Sequence, residues 1–203
     1  MQMKKALISA LFFGLAGFGL PAVAQMPALT GFYVGGGIGL AEARSICNTN
    51  WLPAGTTLGG CDKKDQGWKI YGGYQFTPHW GAEVGYLDFG KQRWGVAIGG
   101  AVPATAEAEA TAWQFVGTGT LPIVPGFGII GKLGLYRSDI DVRGGGFSAN
   151  GSSTDYTLGV GGQWNWGRNL SMRVEWERFN NGGNNTTGHS DFDMLSVSAM
   201  FRF

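Results

Sequence analysis

The sequence predicts an all-β fold, an eight-stranded antiparallel transmembrane β-barrel with short periplasmic turns and long extracellular loops. Three observations carry that prediction. Segments of about ten residues alternate between apolar and polar side chains, which is the length and period of a tilted membrane strand. Glycine supplies 37 of 203 residues and aromatics 13%, while charged residues reach only 14%, against roughly 25% in soluble domains. The connections between the segments run short and long in turn, as in a barrel whose two ends face different compartments.

The first 24 residues stand outside this pattern. MQMKK is a positive leader, ALISALFFGLAGFGL an apolar core, and Ala22 to Ala24 before Gln25 the small-residue cleavage site of a secretory signal peptide. Residues 25–203 are left as one barrel domain. Loss of Lys4 and Lys5 with the leader makes the mature chain nearly neutral, which argues against nucleic acid as a partner. No later apolar run approaches the roughly 20 residues of a membrane helix.

Eight strands follow in order. GFYVGGGIGLA sets Phe32, Val34, Ile38 and Leu40 against Tyr33, Gly35, Gly37 and Gly39. Its glycines suggest a phosphate cradle, but Leu40 stands where a third glycine belongs and a charged loop follows instead of a helix. We read those glycines as making room for long charged side chains from facing strands. WKIYGGYQF sets Trp68, Ile70, Tyr74 and Phe76 against Lys69, Tyr71, Gly73 and Gln75. WGAEVGYL opposes Trp80, Ala82, Val84 and Tyr86 to Gly81, Glu83 and Gly85. TAWQFVGTGTL, the weakest, places Trp113, Phe115 and Leu121 outside with Gln114, Thr118 and Thr120 inside. FGIIGKLGLY turns Lys132, Gly134 and Tyr136 inward. DYTLGVGGQWN turns Thr157, Gly159, Gly161 and Gln163 inward. LSMRVEWERF does the same with Ser171, Arg173, Glu175 and Glu177. DMLSVSAMFRF ends the series with Leu195, Val197, Ala199, Phe201 and Phe203 facing lipid and Arg202 facing the lumen. Turns at 77–79, 122–126 and 167–168 are short, whereas the runs near 43–66, 89–110, 138–154 and 180–191 read as long loops.

Aromatics test this layout independently. Phe32, Phe76, Trp80, Trp164 and Phe203 fall at the periplasmic ends of their outward faces, and Trp68, Tyr86, Tyr156 and Trp176 at the opposite ends. Two such girdles mark the lipid–water boundaries of a membrane barrel.

GFYVGGGIGLA after a signal peptide, GYQFTPHWGAEVGYLDFG, SMRVEWERF and the terminal MFRF together resemble the OmpA-like transmembrane barrel family, which includes small opacity-type surface proteins of Gram-negative bacteria. The resemblance covers the whole mature chain. It implies an outer-membrane location, contact with outer-membrane lipids and lipopolysaccharide, and a terminal Phe203 read by the outer-membrane assembly machinery. OmpA itself carries a peptidoglycan-binding domain after its barrel, and this sequence stops at the last strand, so no wall-binding role is expected. The resemblance also places Glu83 and Arg173 as one lumen ion pair. The family's second pair is not expected, because Gln114 and Gln163 occupy the neighbouring inward positions.

An eight-stranded barrel has an interior only wide enough for its own side chains. Inward Lys69, Glu83, Lys132, Arg173, Glu175 and Arg202 should therefore pair into a network that closes the lumen. Cys47 and Cys61, in an exported chain, are read as a disulfide whose loop of about 15 residues is worth roughly 3 kcal/mol in the chain-entropy model. His189, Ser190 and Asp191 invite comparison with rim enzymes that modify lipid A, but adjacent strand residues face opposite ways and do not converge. His79 has no second ligand near it, and Glu175 and Glu177 lie beside Arg173. No cofactor, metal or catalytic set is expected. The chain reads as a monomeric, non-catalytic outer-membrane barrel whose surface loops serve envelope stability or adhesion to an external ligand. A narrow OmpW-like channel for small or apolar solutes is the first alternative, and a lipid A-modifying enzyme the second.

Overall fold

A computed structural model describes residues 30–44, 56–62, 64–98, 101–144, 147–184 and 188–203. The signal peptide, Cys47 and the side chains of Cys61, His189 and Ser190 lie outside the described residues. Nine strand segments are present among those described: β1 (Gly31–Ala43), β2 (Thr56–Asp62), β3 (Lys64–Gln75), β4 (Trp80–Ile98), β5 (Ala101–Val124), β6 (Phe127–Gly144), β7 (Phe147–Trp166), β8 (Leu170–Asn184) and β9 (Gly188–Arg202). Both β2 and β3 pair with β4, one after the other along its length, and so form a single stave.

Eight staves close on themselves in the order β1, β3, β4, β5, β6, β7, β8, β9 and back to β1, every pairing antiparallel. Register fixes the geometry of closure. A walk along paired residues from Tyr33 passes Gly73, Glu83, Val116, Gly134, Thr157, Phe179 and Phe192, and reaches Ala43, ten residues further along β1. Strand number and stagger together set a barrel's width and tilt, and eight strands give a lumen that side chains fill. All positions on that walk share the inward face, so the alternation read from sequence survives a full circuit without a slip.

The outward face is apolar and exposed, with Phe32, Val34, Ile38, Phe115, Leu133, Val160 and Val174 among its residues. Outward side chains form an exposed apolar belt, and the inward ones make the core. Short turns at Phe76–His79, Pro125–Gly126 and Gly167–Asn169 mark the periplasmic end. Positive φ at Gly126 and Gly167 explains glycine in two of them.

The opposite end departs from expectation. Most of the segments read as long loops are paired strand. In particular, β4 runs to Ile98 and its partner β5 begins at Ala101. Opposite charges in cross-strand register favour the extension. Lys91 faces Glu109 and forms an ion pair with it, and Arg93 stands opposite Glu107. Polar and Gly-rich composition signalled a loop, whereas the backbone there is paired strand.

Candidate functional site

The lumen is the site, and it is built in layers. Midway along it lie three cations and three anions, all buried: Lys69 from β3, Glu83 from β4, Lys132 from β6, and Arg173, Glu175 and Glu177 from β8. Lys69 Nζ donates to Glu175 at 2.8 Å and to Glu177 at 2.5 Å. Lys132 Nζ lies 2.8 Å from Glu83 and 2.7 Å from Glu175. Arg173 donates through Nη1 to Glu83 and through Nε to Gln163, the latter at 2.8 Å. Tyr33 adds a hydroxyl donor to the same Glu83 carboxylate at 2.8 Å.

Aromatic density stands at the centre of this charge. The ring of Tyr71 has Lys132 at 5.2 Å, Arg173 at 5.3 Å and Lys69 at 5.8 Å from its centroid, each within cation–π range. Its hydroxyl meets Ser198 Oγ at 3.0 Å. Gly35 makes that placement possible, because a Cβ there would sit 2.4 Å from the Tyr71 ring. Gly37 and Gly39 instead admit the β9 backbone, against which added Cβ atoms would lie at 2.4 Å. Room for a charged chain itself comes from Gly159, whose Cβ position falls 2.9 Å from Glu177, while a Cβ on Gly161 would meet the β8 backbone at 2.3 Å before Glu175 at 2.9 Å. The glycines of β1 therefore clear space for a tyrosine and for a neighbouring strand. Gly35→Ala is expected to displace Tyr71 and destabilise the barrel, seen as a lower urea midpoint with an unchanged slope, while Gly36→Ala on the lipid face is nearly silent.

Two sequence expectations change here. Glu177, left out of the network, is one of its three anions and holds both lysines, with Lys132 at 3.6 Å. Arg202, counted into it, stands apart: it is buried, yet its Nε and Nη1 have no hydrogen-bond partner among the described residues. A second set of ion pairs exists despite Gln114 and Gln163, because Lys69 and Lys132 reach across the lumen to β8. The glutamines join as hydrogen-bonding neighbours, Gln163 to Arg173 and Gln114 to Glu177 at 3.5 Å.

Above the charges the lumen turns apolar. Ala41, Ala43, Leu87, Phe89, Ala110, Ala112, Tyr136, Ile140, Phe179, Phe192 and Met194 form one buried cluster. Phe89 packs edge-on against Phe179 at 5.1 Å and stacks on Phe192 at 5.2 Å, and Tyr136 meets Phe179 at 5.1 Å. Sequence reading missed this plug. Its rings point inward from within β4, β6, β8 and β9, against the rule that apolar side chains of such barrels face lipid.

At the extracellular rim, Arg178 and Arg44 both donate to Asp193. Burial opposes ionisation of Asp193, but the two hydrogen bonds outweigh it and hold the carboxyl below its usual range. A depressed carboxylate contributes stability above its unfolded pKa of about 3.9 and loses it as pH falls through the lower folded value. Acidification below about pH 4 is thus expected to loosen the rim where β1 and β8 flank β9 first, read as a lowered amide-exchange protection factor at Arg44, whose N–H bonds Asp191 O at 2.9 Å. The outward girdle residues fall into two groups. Trp68, Tyr86 and Trp113 touch at the outer end, with centroids 5.6 and 5.1 Å apart, and Tyr156 and Trp176 occupy the same end of β7 and β8. Phe76, Trp80, Trp164 and Phe203 lie near the short turns, with Trp164 against Phe127 at 5.2 Å.

This architecture has known counterparts. The family model for the outer membrane protein β-barrel domain matches residues 10–203. Over 208 residues the chain is 31% identical to Outer membrane protein A of Klebsiella aerogenes, covering 99% of this chain and 56% of that protein. The chain thus spans about half the length of that curated relative. The crystal structure of OprG from Pseudomonas aeruginosa aligns with a TM-score of 0.60 at 14% identity, over 85% of this chain and 95% of that one. Ail, the attachment invasion locus protein of Yersinia pestis, solved with the heparin analogue sucrose octasulfate, aligns with a TM-score of 0.51 at 18% identity, over 85% and 99% of the two chains. At such identities the structural likeness concerns fold alone.

Proposed function

The chain belongs to the OmpA-like outer membrane β-barrel family and is an outer-membrane protein of a Gram-negative envelope, and from that premise we propose that it is a non-conducting, non-catalytic surface protein. Its working part is the set of hairpins that rise beyond the outer girdle, and its role is adhesion to an external ligand or support of the envelope. One observation carries this reading: the lumen is filled twice over, by a neutral layer of paired charges and by an aromatic plug above it. A barrel so filled does its work on its outside.

Further support comes from the extracellular sheet. There β2, β4, β5, β6 and β7 continue pairing past the membrane and offer a stiff platform. Ail, a barrel of similar fold, was solved in complex with a heparin analogue, which supports a ligand-binding reading. Lipopolysaccharide as a neighbour, recognition of Phe203 during assembly, and a monomeric state belong to the same proposal.

Transplanting the β4–β5 and β6–β7 extracellular hairpins onto an inert eight-stranded barrel tests it. Transfer of cell-surface binding is the expected outcome. Steady conductance of the unaltered protein in planar bilayers would replace this reading with that of a narrow channel. Altered lipid A masses would replace it with that of an enzyme.

A further inference from the structure

The filled lumen leaves one charge over. Its central layer balances three cations with three anions, and Arg202 lies beyond that balance near the periplasmic end of β9. The residue is 4% exposed and its Nε and Nη1 find no acceptor among the described residues. Several acceptors of the lumen are already engaged. Glu83 takes Tyr33, Arg173 and Lys132. Gln163 takes Arg173, and Asn165 Oδ1 takes both Gln163 and Ser171. The backbone cannot easily swing the side chain away, because the Arg202 N–H bonds Asn169 O at 2.7 Å and the Asn169 amide returns a bond to Arg202 O at 2.8 Å.

Burying a cation with two of its donor nitrogens unmet is costly. Packing does not require one here, since Ser196, Ser198 and Met200 fill the preceding inward positions of the same strand. The charge pattern of the whole end agrees. None of the 14 acidic residues lies at a periplasmic strand end or in a periplasmic turn, whereas Arg168 is in a turn beside Asn169. The aromatic plug closes the other end of the lumen, so a ligand for this arginine arrives from the periplasmic side.

We propose that the periplasmic mouth of the barrel is an oxyanion site, with Arg202 as its recognising group and a phosphate as its ligand. A phosphate offers the charged acceptors that the protein withholds, and charge-assisted hydrogen bonds to guanidinium are the strong kind. Free phosphate and the phosphodiester of an inner-leaflet lipid headgroup share this chemistry.

Backbone amide shifts of Tyr33 and Asn169 report on the site in the full refolded barrel. In maltoside micelles, which carry no phosphate, inorganic phosphate is the probe. In nanodiscs, phosphatidylglycerol is compared with an uncharged lipid. A saturable shift with inorganic phosphate assigns the free anion, and a shift only with phosphatidylglycerol assigns the headgroup. R202Q is expected to weaken either response by about tenfold or more, as the loss of a charge-assisted bond requires, while R168Q keeps it. Heat-modifiable gel mobility verifies that both variants fold. Shifts that fail to saturate in both arms, or that persist unchanged in R202Q, overturn the proposal and leave water as the partner of Arg202.

Discussion

Replacing Arg173 with methionine is expected to lower the unfolding free energy of the refolded barrel by about 3–5 kcal/mol, the range for removing one partner from a buried pair. Three consequences add to one another. Glu83 keeps Tyr33 and Lys132 but loses its guanidinium, Gln163 loses a donor, and the layer acquires a net negative charge in a low-dielectric interior. The variant that separates pairing from packing is the double substitution of Arg173→Met with Glu83→Gln. It restores neutrality and should cost less than the two single changes combined, because residues in one network do not contribute independently. Urea unfolding of all three variants in one detergent measures the coupling, and simple additivity would mean that the contact carries little energy.

The second large effect concerns the plug. Phe179→Ala removes a fully buried ring that touches both Phe89 and Tyr136, and a loss of about 3–5 kcal/mol is expected. Phe179→Leu should cost distinctly less. Despite the cavity, Phe179→Ala should remain electrically silent in planar bilayers, because the charge layer beneath the plug still fills the lumen. Arg173→Met should be silent for the complementary reason. These are two barriers in series, and a conducting phenotype from either single change would show that one of them carries the whole resistance.

Alternation along each strand made the two faces legible, and almost every outward and inward assignment follows from it. Height within the lumen was not legible in the same way. Lys69 reaches Glu175 and Glu177, more than a hundred positions away in sequence, and only the ten-residue stagger brings them level. The same stagger leaves Arg202 apart from the network although it shares the inward face. Phe89, Phe179 and Phe192 were hidden for another reason. They sit where strands were thought to give way to loops, and their inward rings break the polar-inside rule that served everywhere else. Glycine signalled crowding correctly but not what did the crowding, since the ring beside Gly35 comes from a strand some thirty residues on.

The charge layer also bears on how the barrel is made. Lys69 and Glu83 belong to the first half of the chain, yet every ion pair they form is with the second half: Lys69 with Glu175 and Glu177, and Glu83 with Lys132 and Arg173. A sheet of the early strands alone would present these two ions without counterions to whatever surrounds the growing edge. Arrival of β6 and β8 supplies them at once. Neutralisation of the early strands therefore waits on the late ones.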